Sequence, residues 1–559
     1  MNKNITNIRP KAEKLENILI TAYLVPLYDE EHMEKQMKYM KDAHIDLVTH
    51  IYFSDRFVPN EHTPERYKKA AEVADKYGLK ILVRDTRIQS ILNRSDEEII
   101  DIINEYKDLP GVGGYYIVDE PYNPNPYAKI TRLIRTHDED ATSDVNFMPH
   151  FGYPSYEIWE KQLRDYCMLL QDKKDFLSFD VYTFGEEEGS NNERDMFNDY
   201  EIMRRVGLEH GINTAAYVQA LGIEGYYRRP DINVLRYNMM AALSYGFKQL
   251  KFFCWATPPK EEGKNSLAIM DYEGNPTDLY EPLCEVNRKI HTIGPHLANL
   301  DAIEIYHSGV RQEGVTYKEV PKDLFIQPLE DTYAIISLME DRDTKRNYMM
   351  IVNKDFTSSQ TVKFELEGID DIKEISSETG KEVKANFKKG ILTKTLKPGE
   401  GALFLFEEGV KVIGDSTNML LNATITASSS YGDKGYYLVH LVDGQTKVTE
   451  DNKGYMGIAK SNVEQFILLD FGTNIEFNEI VIYPGNPSLF PKSLKILVSA
   501  DKENWVEMVN EQGFADINKE VRLRIDKTRA RYIKFLVPKL IRNNLGFVYE
   551  ICEIEIYNN

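Results

Sequence analysis

The sequence predicts a chain of three units: a (β/α)8 barrel over residues 1–300, an antiparallel β-sandwich over 301–410 and a second β-sandwich, of jelly-roll kind, over 418–559. Three observations predict it. Apolar strand-like runs alternate with helix-periodic segments through the first 300 residues, as a closed barrel of βα units requires. Short alternating runs separated by turn residues fill the next hundred or so. A further all-β set closes the chain, with no solenoid-period repeat anywhere. A length of 559 residues fits three or four units at a prior of ~150 residues per domain.

The barrel strands are expected at "NILITAYLVP" (17–26), "IDLVTHIYF" (45–53), "LKILVRD" (79–85) and "GGYYIVDEP" (113–121). They continue at "SDVNFMPH" (143–150), "DFLSFDVYTF" (175–184), "NTAAYVQALG" (213–222) and "QLKFFCWATP" (249–258). Between them "EHMEKQMKYMKDA", "TPERYKKAAEVADKYG" and "SDEEIIDIINEYKDL" carry the helical period. The last opens on Ser95 with Glu98 three residues on, a capping box. An open doubly wound sheet is the alternative, weakened because no GxGxxG follows the first strand. In the middle unit "TYAIISLMED", "NYMMIVNKD", "TVKFELEG", "GILTKTL" and "GALFLFEEG" read as strands. In the last unit "ATITASSS", "EQFILLDFG", "FNEIVIYPG", "SLKILVSAD", "RARYIKFLVP" and "YEICEIEIYN" do so.

Composition excludes several classes. Lys and Arg number 68 against 89 Asp and Glu, a net charge of −21. That field repels nucleic acid and anionic membranes and leaves neutral ligands unaffected. No apolar run is long enough for a membrane helix, so no membrane insertion is expected. Cys167, Cys254, Cys284 and Cys552 are widely spaced, with no CxxC and no Cys/His cluster, so neither zinc nor a disulfide framework is signalled. The first residues lack a secretory signal. The chain is therefore expected to be intracellular, or secreted or cell-surface if a leader was removed.

Functional side chains of a (β/α)8 barrel stand at the C-terminal ends of its strands. Strand 4 ends on Asp119 and Glu120. Neighbours in a strand face opposite sides, so Glu120, with the longer reach, is expected to do chemistry and Asp119 to support it, with Tyr116 nearby. Strand 6 brings Asp180 and Tyr182, strand 3 Arg84 and Asp85, strand 7 Gln219, strand 8 Trp255, strand 2 His50 and Tyr52, and strand 1 Tyr23. Together they make a mouth of carboxylates, an amide, an arginine and aromatic faces. That mixture suits a carbohydrate, because aromatic rings stack on sugar C–H faces while carboxylates, amides and guanidinium bind hydroxyls. Glycoside cleavage needs two carboxyl groups flanking one bond, one of them a proton donor with a raised pKa. Glu120 is the expected donor and Asp180 its partner, with Asp119, Tyr116, Tyr182, Gln219, Trp255, Arg84 and Tyr23 around the substrate. No catalytic cofactor is implied.

With "GYYIVDEP", "SFDVYTF", "RYNMMAALSYGFKQLKFFCWATPP" and "AIMDYEGNPTDLY", the barrel resembles the catalytic barrels of glycoside hydrolases, in particular the clan A type related to β-galactosidases. The resemblance implies that Glu120 is the acid/base at the end of strand 4. Asp119 replaces the clan's usual Asn there. Gln219 stands where the clan places its nucleophilic Glu on strand 7, which leaves an inverting mechanism, a partner such as Asp180, Glu224 of the following loop, or lost activity as the alternatives. With "ATITASSS", "HLVDGQT", "FILLDFG", "SLKILVSADKENW", "RARYIKFLV" and "EICEIEIY", the last unit resembles a discoidin (factor V/VIII type C) domain of the kind used as a family 32 carbohydrate-binding module. That resemblance implies a structural Ca²⁺ at Asp443 and Glu553, hard oxygen ligands suited to it. The middle unit resembles the accessory β-domain that follows many glycosidase barrels. The function implied is a glycoside hydrolase acting on an oligo- or polysaccharide held by an appended module. The alternatives are a glycan-binding protein that keeps the barrel as a scaffold, to which Gln219 points, and a lyase or esterase, which no GxSxG or metal-ligand cluster supports.

Overall fold

The computed structural model describes residues 11–558 apart from 55–60, 187–190, 259–264, 311–313, 316, 323, 411–422, 432–435, 437, 443–445, 449–452 and 513–518. Eight parallel strands close into a barrel: β1 (Leu19–Pro26), β2 (Leu47–Tyr52), β3 (Lys80–Val83), β4 (Val112–Asp119), β5 (Thr142–Phe147), β6 (Leu177–Phe179), β7 (Thr214–Gln219) and β8 (Gln249–Phe253). β8 returns to β1, pairing Leu19 with Gln249 and Ala22 with Phe252. Six of the strands lie within the runs expected from the sequence, and β4 and β5 begin one residue before theirs.

The helices α1 (Glu30–Asp42), α2 (Pro64–Lys76), α3 (Asp96–Tyr106), α4 (Asn125–His137), α5 (Tyr156–Leu170), α6 (Glu193–His210), α7 (Ile232–Ser244) and α8 (Tyr280–Leu297) surround the barrel. Their starts are set by local chemistry. The Asp29 side chain accepts from the amide of His32 at 2.8 Å. Pro64 occupies the first turn of α2 behind Thr63, where its missing N–H costs nothing. The capping box of Ser95 and Glu98 is formed in both directions. Outward strand residues such as Ile20, Ala22, Val48 and Ile81 join the helices' apolar faces in one large core.

The inside of the barrel is more polar. Gln249 donates to Thr21 at 2.8 Å, and Lys251 is buried against Asp144. Above them lies a tyrosine layer of Tyr23, Tyr116 and Tyr217 with Leu47 and Leu82. Gly114, in the glycine run of β4, has φ +137° and lies against β5. A Cβ there would fall 2.0 Å from the Thr142 carbonyl oxygen, so only glycine lets these strands approach.

The middle unit faces a seven-stranded sheet with a four-stranded one around Ile303, Phe364, Leu366 and Phe404. Ile305, Met339, Met350, Val352, Leu403 and Leu405 of the larger sheet merge with the barrel core, so this unit is packed onto the barrel. Lys354 seals the junction: its ammonium lies 4.7 Å from the Tyr317 ring centre and 4.4 Å from that of Tyr333.

The last unit has a core of its own, including Phe477, Ile533, Phe535, Tyr549 and Ile551. Its long strands Gln465–Pro484 and Val521–Val537 pair antiparallel with register shifts at Asp470/Ile475 and Phe477/Glu479. Such irregularities bend a strand. The two runs read separately as "EQFILLDFG" and "FNEIVIYPG" are thus halves of one bent strand. Among the described residues no helix is long and apolar enough to cross a membrane.

Candidate active site

The C-terminal ends of β1, β4 and β6 converge on three carboxyl groups. Asp119 ends β4 and Glu120 follows it. The strict alternation expected of these neighbours fails for two local reasons. The β4–β5 register shifts between Tyr116 and Val118, and Glu120 has φ +44°, a left-handed conformation that costs a non-glycine residue ~1–2 kcal/mol. The amide of Glu120 holds the turn by donating to the Asn146 carbonyl at 2.8 Å. Both acids therefore face the barrel mouth, where the Glu120 carboxyl is hydrogen-bonded to Asp180 from the end of β6. Strain of this kind at a barrel mouth marks a site held in place by its surroundings.

The donors around this cluster run in one direction. Tyr23 donates to Asp119 Oδ2 at 3.0 Å. Asn146 Nδ2 donates to Asp119 Oδ1 at 3.0 Å and to Asp180 Oδ1 at 2.9 Å. The amide is oriented from below. Lys251 Nζ donates to Ser178 Oγ at 2.9 Å and to Asp144 Oδ1 at 2.6 Å. An ammonium can only donate, so the Ser178 hydroxyl accepts from it and gives its own proton to Asn146 Oδ1 at 3.1 Å. The NH2 end of Asn146 is thereby turned toward the carboxylates. This chain, Lys251 to Ser178 to Asn146 to the acids, crosses β8, β6, β5 and β4.

Burial and neighbouring charge act on Glu120 and Asp180. Burial raises the Asp180 pKa well above the usual carboxylate range, and the charges of Glu120 and Asp119 raise it further. Glu120, on the open side, is raised by burial and by Asp119, while the bond from Asp180 works against the rise. Both groups of this hydrogen-bonded pair are therefore pushed upward, the more enclosed Asp180 well above the usual carboxylate range. Asp119 accepts from two fixed donors and stands as the acceptor of the group. Burial, with the charge of Arg84, lowers His50 to about 3, which keeps its ring neutral.

Aromatic side chains wall the mouth. Tyr182 lies 4.8 Å from Phe253 and 5.6 Å from Tyr227, ring centre to ring centre. Phe253 continues to Tyr23 at 6.0 Å. Tyr227 belongs to the loop after β7, and the charges of Asp180 and Glu120 reach it. Arg84 is half-buried over the Tyr116 ring at 4.7 Å. Further out on the loops after β4, β5 and β7, Tyr122, Phe151 and Tyr226 are 68%, 63% and 70% exposed. Tyr122 stacks on Tyr153 at 6.0 Å.

Of the residues expected at the site, Glu120, Asp119, Asp180, Tyr23, Tyr182 and Arg84 meet there. Tyr116 is fully buried beneath Arg84 and packs against Tyr23, so it supports the layer below. Gln219 is turned into structure: its Oε1 accepts from Phe184 N at 3.0 Å, and its Nε2 donates to the carbonyls of Phe184 and Arg228 at 3.1 and 2.9 Å. Its place at a strand end serves to brace two loops, and the expected contact with substrate is corrected. Trp255 is likewise enclosed, with Nε1 3.3 Å from Gln36 Oε1. Asp85 is spent on Arg87 and Tyr106. Glu224 is exposed on its loop. Asn146, Ser178, Lys251, Tyr227 and Phe253 were not expected. The signal was available for two of them, Asn146 and Lys251, since "SDVNF" and "QLKFF" set polar residues inside apolar strands.

The calcium expectation rests on two residues. Glu553 is fully buried in the strand Gly546–Tyr557, and Asp443 lies outside the described residues. Among the described residues no group of three or more His, Cys, Asp or Glu is placed to hold a metal ion.

Comparison with known proteins bears on the C-terminal unit. No curated protein matches the chain. Among solved structures, the family 32 CBM of Clostridium perfringens NanJ, determined with galactose, is 16% identical over 26% of this chain and 98% of its own, with a TM-score of 0.22. Chitosan-binding module 1 of a Paenibacillus sp. IK-5 chitosanase/glucanase is 22% identical over 25% and 99%, with a TM-score of 0.21. A module of a Clostridium perfringens family 31 glycoside hydrolase is 19% identical over 26% and 95%, with a TM-score of 0.22. The model of the F5/8 type C domain family matches residues 424–554. Behind its eight-stranded parallel barrel and middle sandwich, the chain therefore carries an F5/8 type C domain.

Proposed function

We propose that this chain is a glycoside hydrolase: its barrel cleaves a glycosidic bond by carboxyl acid/base catalysis, and its F5/8 type C domain holds the glycan. The observation that carries this reading is the carboxyl cluster at the barrel mouth, in which the hydrogen-bonded Glu120 and Asp180 stand beside Asp119, itself held by Tyr23 and Asn146. A raised pKa keeps a carboxyl group protonated where a leaving oxygen needs a proton. Glu120, on the open side, delivers it, and Asp180 reloads and positions Glu120 through their mutual hydrogen bond. Tyr182, Tyr227 and Phe253 form the wall against which a pyranose ring packs, with Arg84 toward its hydroxyls. The exposed rings of Tyr122, Phe151 and Tyr226 extend that surface along a longer glycan. The F5/8 type C match supports a glycan-binding module, which raises local substrate concentration without a new catalytic contact.

The test is Glu120→Gln beside wild type on a panel of aryl glycosides. A fall in kcat/KM of ~10²–10⁴ is expected for loss of a general acid/base; unchanged turnover removes Glu120 from the mechanism. One observation favours a second reading, a glycan-binding protein with an inert barrel: Gln219 at the end of β7 is a brace with no carboxylate function. Glycan binding by wild type with no hydrolysis on any member of the panel would establish that reading in place of the first.

A further inference from the structure

Within the hydrolase reading, the arrangement of the carboxyl groups bears on which sugar the site accepts. Displacement at an anomeric carbon needs an attacking group on the face opposite the leaving oxygen. When a carboxylate attacks, it stands ~5–5.5 Å from the acid; when it activates a water, ~6.5–9.5 Å. Here Glu120 and Asp180 are in direct hydrogen-bond contact, so they occupy one side of the bond together. Among the described residues, the carboxyl groups that act on Glu120 are Asp119, through its charge, and Asp180, through its hydrogen bond. Asp119 is tied down at both oxygens by Tyr23 and Asn146. At the end of β7, Gln219 is committed to Phe184 and Arg228.

The site nevertheless offers what an internal nucleophile needs. Asp119 is a fixed acceptor with lone pairs to spare, since a carboxylate has about four acceptor positions and two are used. Beside it, Tyr23, Phe253 and Tyr182 form an unbroken aromatic wall from Asp119 to Asp180. An acceptor for an N–H and an apolar seat for a methyl group are the two recognition elements of an acetamide. We infer that the substrate is a glycoside of a 2-acetamido-2-deoxy sugar, whose own amide oxygen is the nucleophile, with Asp119 accepting from the amide N–H and Tyr182, Phe253 and Tyr227 enclosing the methyl.

The step balances without any further reactant. The acetamide oxygen forms a bond to C1 as the C1–O bond to the leaving group breaks, and Glu120 gives its proton to the departing oxygen. The positive charge of the cyclic oxazolinium is offset by Asp119, which holds the N–H. Water then adds to C1 and gives a proton to Glu120, while the ring C–O bond reopens to the acetamide. Anomeric configuration is retained, and the site returns to its starting protonation.

The experiment uses the full chain with aryl glycosides of N-acetylglucosamine, N-acetylgalactosamine, glucose and galactose in both anomers. The gluco- and galacto-configured thiazolines, which mimic the cyclic intermediate, serve as probes in competition and calorimetry. Expected is a preference of at least ~100-fold for the 2-acetamido glycosides, from the advantage of an intramolecular nucleophile. Competitive inhibition by one thiazoline is expected as well. So is a stepwise fall in kcat when the acetyl group carries one, two and three fluorines, because each weakens the amide oxygen. Asp119→Asn should lower kcat on the acetamido glycoside by about 100-fold with its circular dichroism unchanged. Turnover of 2-hydroxy glycosides with no thiazoline binding overturns the inference and leaves the hydrolase reading standing. No turnover of any glycoside and no thiazoline binding overturns both. A thiazoline bound without aryl glycoside turnover still supports recognition of the acetamido sugar.

Discussion

Asp119 and Asp180, on different strands, accept hydrogen bonds from one amide nitrogen: Asn146 Nδ2 lies 3.0 Å from the first and 2.9 Å from the second. A single NH2 group thus spaces Asp119 from the hydrogen-bonded pair of Glu120 and Asp180, and its direction is dictated by Ser178 and Lys251 beneath it. The site is therefore built on the barrel's polar interior more than on its loops, which is how strand-borne groups come to be held to a fraction of an ångström.

Removing that spacer is the first prediction. Asn146→Asp keeps the shape but exchanges the donor for a fourth negative oxygen pair, so two good hydrogen bonds become repulsions. A loss of ~10²–10³ in kcat/KM is expected, with the alkaline limb of the pH–rate profile moved to higher pH because another carboxylate opposes ionisation of Glu120 and Asp180. Activity and profile both at wild-type values would mean that Asn146 only fills space.

The Lys251–Asp144 pair at 2.6 Å is fully enclosed and allows a stability test. Taking away one partner strands a charge in the barrel, at a cost of ~3–5 kcal/mol. Lys251→Met is expected to destabilise by that amount in urea unfolding followed by barrel tryptophan fluorescence. The double variant Lys251→Met/Asp144→Leu should recover most of the loss, yet not the activity, since Ser178 no longer has its orienting donor. Recovery of activity along with stability would break the proposed chain of donors.

How far was this visible in the sequence? The strands of the barrel were, because β-branched and aromatic runs alternating with capped, helix-periodic segments leave little else for the chain to do. Glu120 and Asp180 were visible as strand-end acids. Their direct contact was not, since it depends on a register shift in β4 and a positive φ at Glu120, both imposed by neighbouring strands. Gln219 and Trp255 show the converse: a strand-end position says where a side chain starts, not whether a loop folds over it. Asp144, Asn146 and Lys251 were legible in principle, as polar interruptions of apolar strands, because a buried charge must have a partner.

Gln219 permits a sharper check. Gln219→Glu restores the residue type expected of a strand-7 nucleophile, but the oxygen that replaces Nε2 would then meet the carbonyls of Phe184 and Arg228. The loss of two buried donors predicts a destabilisation of ~1–3 kcal/mol and no gain in hydrolysis. An increase in turnover would show that the brace can swing into the mouth.

The pH dependence of stability follows from Asp180. Burial, then Glu120 and Asp119, raise its pKa in the folded chain, whereas an unfolded aspartate titrates near ~3.9. Between these values the native state binds more protons than the unfolded one, so stability falls as pH rises through that window. Asn in place of Asp180 cannot ionise and escapes the loss. The melting temperature of Asp180→Asn should therefore match wild type at pH 4 and exceed it at pH 7.5 in calorimetry. A variant less stable than wild type at the higher pH would show that Asp180 is ionised and paid for by its hydrogen bonds.

The last prediction concerns the F5/8 type C domain, whose core is separate from that of the barrel and the middle sandwich. A chain ending at residue 410 should fold with its barrel intact and hydrolyse small aryl glycosides at the wild-type rate. On a polymeric or surface-bound glycan it should fall by ~10²-fold or more, the usual gain from a second linked binding event. The domain does touch the barrel side: the Leu438 amide donates to the Glu157 carboxylate at the start of α5, at 3.2 Å. That contact argues for a fixed docking beside the mouth, so Glu157→Ala in the full chain should weaken polymer hydrolysis while leaving aryl glycoside turnover and isolated glycan binding unchanged. If the truncated chain loses aryl glycoside turnover too, the domain is part of the catalytic framework and tethering is not its role.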